Sequence, residues 1–295
     1  MSPLRSAFTA LVLLLAAPAC AQTPPTQDAD PALWVVKDRD TTVYLFGTIH
    51  VLKPGLTWFD EAVRQAFDRS NQVVLELVLP DPAKMQSIVA ADAAMPNGPT
   101  LTARLPPARR KQYADALTSL SLPATAFDRT QPWFAATNLS ILPLVKLGYD
   151  PANGPESIIT AAAKQANKPV IGLETAEQQL GYFSALSPKA QISFLTATLD
   201  ELPKVATQMA TMVDEWAHGQ PDKLAAELNE SLKDSPEVAK VLLVDRNKRW
   251  AGWIANRLRT PGTVFIAVGA GHLAGPESVQ RQLARRGLRA VRVRY

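Results

Sequence analysis

The sequence predicts an α/β protein: a central mixed or mostly parallel sheet built from two GxxH-containing βαβ units, with a large helical middle section as a layer or cap. Three observations predict it. The apolar run Val43 to Phe46 stops at Gly47, and His50 follows three places later; near the other end Val264 to Val268 stops at Gly269, with His272 three places on. Each histidine is followed by a helical pattern (Phe59 to Phe67; Glu277 to Leu283) and then a second apolar run (Val73 to Leu77; Ala290 to Val293), so each copy reads as a βαβ unit. Between the copies the patterns are mainly helical, and alternation of strands with helices implies parallel pairing. The chain has three histidines and 14 glycines in 295 residues, so a given His meets Gly at this spacing about one time in twenty. Two of three doing so at strand ends points to a duplicated feature rather than to histidines that merely cap strands.

Taken in order, residues 1–21 read as a signal peptide. Arg5 is a minimal basic region, Ala7 to Ala17 is an apolar stretch too short to span a bilayer, and Ala19–Cys20–Ala21 is a small-residue cleavage site. The rival is lipid modification of Cys20, although Ala17–Pro18–Ala19 differs from the Leu-Ala-Gly usual before such a cysteine. Both readings export the protein, with a periplasmic location expected and membrane attachment only if Cys20 is lipidated. The mass of the mature N-terminus separates the two. Cys20 is the only cysteine, so an internal disulfide, a cysteine nucleophile and a Cys-rich zinc site are excluded from the mature chain. Residues 22–31, rich in Pro, Thr and Asp, read as a flexible leader, and 32–295 as a single domain.

Within that domain, 32–79 is the first GxxH unit, 80–261 the mainly helical middle and 262–295 the second unit. Leu33 to Lys37 is a strand that Asp38–Arg39–Asp40 turns into the first motif strand. Pro80–Asp81–Pro82 ends the first unit. In the middle, Pro106–Pro107 opens one helix, Trp133 and Phe134 begin another as core residues, and Gly148 to Gly154 is a turn-rich loop. Lys168 to Leu173 is a strand ending at Glu174, and Thr175 with Gln178 makes a capping box for the next helix. The arginines from Arg281 to Arg294 fit a solvated helix face and a charge-guarded edge strand; without interleaved aromatics they do not suggest nucleic acid.

Ligands of open α/β sheets bind outside the carboxyl ends of the strands. Gly47 and Gly269 are expected to let the backbone turn sharply there, so that His50 and His272 face one crevice. Glu76 is the natural third member, because a carboxylate in the otherwise apolar run Val73 to Leu79 must be paired or bound to metal. Its strand is expected beside His50. The competing account pairs Glu76 with an internal arginine, such as Arg246. Two histidines and one carboxylate suit zinc, manganese, iron or cobalt and leave positions open for water or substrate. Glu174 is a reserve carboxylate, as ligand or base, unless it only caps its helix. Arg246 and Asn247 otherwise read as an exposed helical face, and His218 as a surface residue. No GxSxG elbow, phosphate loop or HExxH occurs.

The residues Gly47–Thr48–Ile49–His50, Leu75–Glu76–Leu77, Gly172–Leu173–Glu174–Thr175, Arg246–Asn247 and Val268 to His272 give the chain a resemblance to the TraB/PrgY/GumN family. That family is similar to the Tiki metalloproteases and, more distantly, to erythromycin esterase-like and ChaN-like proteins. The resemblance covers almost all of the chain beyond the leader. It implies His50, Glu76 and His272 as the active-site group, with Arg246 and Asn247 supporting them. Pro155–Glu156 stands where relatives commonly carry a Val–Asp pair. Some members are linked to peptide-pheromone shutdown, and ChaN-like relatives bind haem. The expected function is therefore a metal-dependent hydrolase acting on peptides. Its rival is a non-catalytic protein that sequesters a peptide or haem in the same crevice.

Overall fold

The two motif strands pair with each other in the middle of one sheet. The computed structural model describes residues 26–232 and 235–294; the expected signal peptide lies outside them. The strands are β1 (Gln27–Asp28), β2 (Leu33–Lys37), β3 (Thr41–Thr48), β4 (Leu56–Thr57), β5 (Gln72–Leu77), β6 (Val170–Glu174), β7 (Gly262–Gly269) and β8 (Ala290–Arg292). β1 and β4 form a short parallel pair, and the other six form one mixed sheet in the order β6–β5–β7–β3–β2–β8. β3, β5, β6 and β7 run parallel, while β2 is antiparallel to both β3 and β8. The β2–β3 hairpin closes on the Asp38 carboxylate, which accepts the N–H groups of Asp40 and Thr41.

The units interleave rather than stand side by side. β7 lies between β3 and β5, so Glu76 does not lie beside the His50 strand, as the sequence suggested, but beside the His272 strand. The first unit crosses from β3 over β7 to β5; the second crosses the opposite way, from β7 over β3 and β2 to β8. Crossovers of one hand running in opposite directions must take opposite faces of the sheet. The cores agree. Val63 and Phe67 of the Glu61–Arg69 helix pack with Phe46, Val73, Leu75 and Phe265 on one face. Val279 and Leu283 of the Val279–Ala284 helix, with Trp250 and Ile254, pack with Leu45, Val74 and Ile266 on the other. Alternation along each strand allots its residues between two apolar layers.

The middle section is helical apart from β6, and part of it makes a core without strands. Tyr113, Leu117, Leu139, Leu195 and Leu199 cluster between the helices Pro107–Ser119, Pro132–Lys146 and Pro188–Glu201. At the other end of the chain, Ala29 is buried and β1 pairs with β4, so part of the stretch expected as a leader is already seated on the core. The run expected to continue to Leu79 leaves the sheet after Leu77, and Val78 and Leu79 are exposed. No helix among the described residues is long and apolar enough to cross a membrane.

The motif glycines serve close approach rather than the sharp turn expected of them, since neither has a positive φ. A Cβ on Gly47 would lie 3.1 Å from Ala270 Cα and 3.2 Å from Ala270 Cβ, in the second motif. Replacing Gly47 by Val is therefore expected to cost about 1–3 kcal/mol, the usual range for overpacking, with Gly47→Ala less affected. Urea unfolding measures it, and a Gly47→Val protein as stable as the wild type would show that this contact does not constrain the residue.

Candidate active site

The carboxyl ends of four parallel strands deliver the candidate residues to one edge. Glu76 lies next to the end of β5 and Glu174 at the end of β6; His50 follows β3, and His272 sits in the 3-10 turn Ala270–Leu273 after β7. Glu76 follows Val74 by two residues and so shares its sheet face, the one covered by the Asp245–Arg257 helix. The first turn of that helix carries Arg246 and Asn247, both buried rather than on an exposed face. A π-helical turn, Lys240–Val244, leads into it.

Gly269 is the point of convergence. A Cβ placed there would lie 3.2 Å from Glu76 Oε1, 3.6 Å from His50 Nε2 and 3.7 Å from His272 Cδ2. The structure thus brings together all three residues expected as a group. The copies are not equivalent, because Gly47 pairs with Val268 and Thr48 with Gly269, an offset of one residue. His50 keeps 67% of its side-chain surface exposed and His272 only 10%.

Arg246 ties the buried side together. Its Nε donates to Glu174 Oε1 and Oε2 at 3.0 and 3.1 Å, and its Nη2 to Glu174 Oε2 at 2.7 Å and Glu76 Oε2 at 2.9 Å. Nη1 donates to the Leu242 carbonyl and lies 3.1 Å from His272 Nε2. The guanidinium also stacks 4.7 Å from the Trp250 ring centroid, and Trp250 Nε1 donates to Glu174 Oε1. Glu76 Oε1 accepts the Gly269 N–H at 2.8 Å. Both accounts of Glu76 therefore hold together: it pairs with Arg246 and it faces the histidines. Glu174 does not cap its helix, which Thr175 and Gln178 do through the expected capping box.

Each histidine is held by its Nδ1. For His272 the partner is Asn247 Oδ1, at 2.6 Å, and Asn247 Nδ2 donates to the Glu277 carbonyl, which fixes the amide's orientation. Nδ1 must then carry the proton, and the Nε2 lone pair faces Glu76 and Arg246. For His50 the partner is Glu156 Oε1, also at 2.6 Å, which accepts from Thr48 Oγ1 as well.

The two rings are driven in opposite directions. Burial pushes His272 down to about 3, helped by Arg246 and opposed by Glu76. Desolvation works against charge on His50 too, but the hydrogen bond and charge of Glu156 outweigh it and raise His50 to about 9. Burial would raise Glu76, yet His272, Arg246, His50 and the Gly269 N–H hold it down at about 2.

Glu156 is a member that sequence reasoning left outside the site, where it registered only as a departure from the relatives' Val–Asp pair. The available signal was an acid in the first turn of a helix after a turn-rich loop. What brings it to His50 is a long-range pairing of Leu52 with Asp150. Gln179, which donates to Glu76 Oε2, and Trp250 were likewise not singled out. His218 stands apart at a helix end, half exposed, as expected.

The donors suit a divalent ion in kind: two imidazole Nε2 atoms and a carboxylate, each imidazole oriented from its far side by an oxygen acceptor. They are not drawn into a ready coordination group, and none of three or more His, Cys, Asp or Glu occurs among the described residues. Arg246 Nη1 faces the His272 Nε2 lone pair, so an ion using that lone pair must displace Nη1 from it. Beside the two histidines opens a cavity of about 290 Å³, lined mostly by apolar side chains.

A family model described as the TraB/PrgY/gumN family matches residues 32–292. The uncharacterized protein YbaP of Escherichia coli is 24% identical over 253 residues, covering 86% of this chain and 92% of that protein. An uncharacterized protein of Treponema pallidum is 22% identical over 267 residues, covering 83% and 78% respectively. The metalloprotease TIKI1 of Danio rerio is 36% identical over 89 residues, 30% of this chain and 18% of that protein. No solved structure matches.

The site carries two expectations. Replacing Arg246 by Met leaves Glu76 and Glu174 buried without their cation, which is expected to cost about 3–5 kcal/mol; urea unfolding within about 1 kcal/mol of the wild type would show that the guanidinium does not hold the site. The second concerns pH. In the metal-free protein His272 stays neutral down to about 3, whereas an unfolded histidine takes a proton near 6.5. Below that pH the unfolded chain binds the extra proton, so stability falls as pH drops from about 6.5 towards 3. The urea midpoint should fall across this window, less steeply in His272→Gln; equal slopes for the two proteins would remove His272 as the cause.

Proposed function

The chain belongs to the TraB/PrgY/gumN family, and from that premise we propose that it is a metal-dependent hydrolase acting on peptides. The observation that carries the reading is the convergence of His50 Nε2, Glu76 Oε1 and the His272 ring on Gly269, at the mouth of a cavity. The partial similarity to a metalloprotease supports the reaction class. His50, Glu76 and His272 are the residues that would hold the ion. A bound divalent ion lowers the pKa of a water and polarises a carbonyl.

The chain's own residues prepare the site for that chemistry. Glu156 and Asn247 fix the two imidazoles through Nδ1 and leave Nε2 toward the crevice. Arg246 keeps Glu76 ionised and aimed at the histidines. Hydrolysis adds the water oxygen to the scissile carbonyl carbon, breaks the C–N bond and sends a proton to the leaving amine. Glu76 would take that proton from the water and pass it on if it is not itself a ligand of the ion. Glu174, the reserve base of the sequence reading, is bound by Arg246 and Trp250 and acts instead as the anchor of Arg246.

The test is incubation of the mature protein with a peptide mixture under a series of divalent metals, with and without a chelator, read by mass spectrometry. Cleavage that the chelator stops, and that His50→Ala and His272→Ala each abolish with the fold intact by circular dichroism, is the expected result. Absence of chelator-sensitive cleavage under every metal would sink the hydrolase and favour the non-catalytic binder.

A further inference from the structure

We propose that the cavity beside the two histidines is a subsite for one large apolar side chain of the substrate, next to the bond that is broken; this rests on the hydrolase reading. The walls come from both halves of the chain. Thr48 and Ile49, the variable pair of the first GxxH, and Ala270 and Gly271, the pair of the second, form the side carrying the histidines. Met212 from the Val205–Ala217 helix, Leu224 from the Pro221–Leu232 helix and Leu243 from the π-helical turn close the other side. The chemistry of the lining is one-sided: apart from Thr48, its polar side chains are His50 and His272. A lysine or arginine side chain seated there would lose its water with no acid in the lining to meet it, which costs several kcal/mol or forces neutralisation.

Size narrows the class further. An apolar cavity of about 150 Å³ holds benzene, so about 290 Å³ accepts the side chain of Leu, Met or Phe together with part of its backbone. Glycine or alanine would leave much of the space unfilled and forgo the burial that draws the peptide in. Because the histidines form one wall, a side chain seated in the cavity sets its own backbone carbonyl near Nε2 of His50. The cavity thereby couples recognition to position. The helices that roof it explain why the middle section is more than a layer over the sheet: it supplies the residues that select.

The experiment uses the mature protein and a polar peptide in which one position is varied through Gly, Ala, Leu, Met, Phe, Asp and Lys. Cleavage is read by mass spectrometry, and binding of the same peptides by calorimetry. The expected result is cleavage beside Leu, Met or Phe at least about tenfold faster than beside Gly, Asp or Lys, in line with the discrimination an apolar pocket achieves. Met212→Trp, which fills the cavity, should shift the preference to Gly and Ala while cleavage persists, and Met212→Leu should keep the wild-type profile. Equal rates along the series, preference for a charged residue, or an unchanged profile in a folded Met212→Trp protein would overturn the subsite. If no peptide is cleaved, the hydrolase reading fails and binding decides the subsite by itself. Tighter binding of the Leu, Met and Phe peptides, lost in Met212→Trp, would uphold it; equal or undetectable binding would overturn it.

Discussion

The guanidinium of Arg246 is the interaction on which the site depends. It joins β5 through Glu76, β6 through Glu174, the turn after β7 through His272 and the π-helical turn before its own helix through the Leu242 carbonyl. Two carboxylates and one guanidinium in nearly dry surroundings are costly to bury, and the cost is offset only when each hydrogen bond is made. Here the pairing with Glu174 is bidentate, Trp250 adds an indole N–H and a ring face, and Gly269 adds a backbone donor. One consequence is chemical. A fixed cation keeps Glu76 ionised without consuming the oxygen that faces the histidines.

The asymmetry of the histidines has a geometric origin. The motif strands pair in parallel, but their glycines are offset by one residue, and the two chain segments beyond those glycines take different paths. His272 turns back under the Asp245–Arg257 helix in a tight 3-10 turn and meets Asn247 and Trp250. His50 continues into a loop and meets Glu156. One ring is therefore shielded and driven towards its neutral form, while the other is open and paired with a carboxylate that favours its charged form, although their sequence surroundings look alike.

Much of this was legible in the sequence, for reasons of pattern. The GxxH strands, the returning strand with its lone acid, the hairpin at Asp38–Asp40 and the capping box at Thr175 all carry local signals, and each is found where those signals put it. Pairing order was not legible, because nothing local in β5 says whether β3 or β7 will be its neighbour. Glu156 was hidden for a similar reason, since it reaches His50 only through a pairing of loops about a hundred residues apart. The glycines were identified correctly and explained wrongly: crowding by Ala270 and Glu76, not a turn, requires them.

The insertion of β7 between β5 and β3 bears on how the protein is made. β3 and β5 leave the ribosome long before β7, yet no hydrogen-bonded ladder joins them to each other, so the emerging amino-terminal portion has a gap where the middle of its sheet belongs. A fold dominated by such distant pairings forms slowly, and two strand edges stay open until the last tenth of the chain arrives. Open edges invite pairing with other chains. Closure of that gap and assembly of the site are thus a single late event: the strand that seals the edges is the one that brings Gly269 and His272.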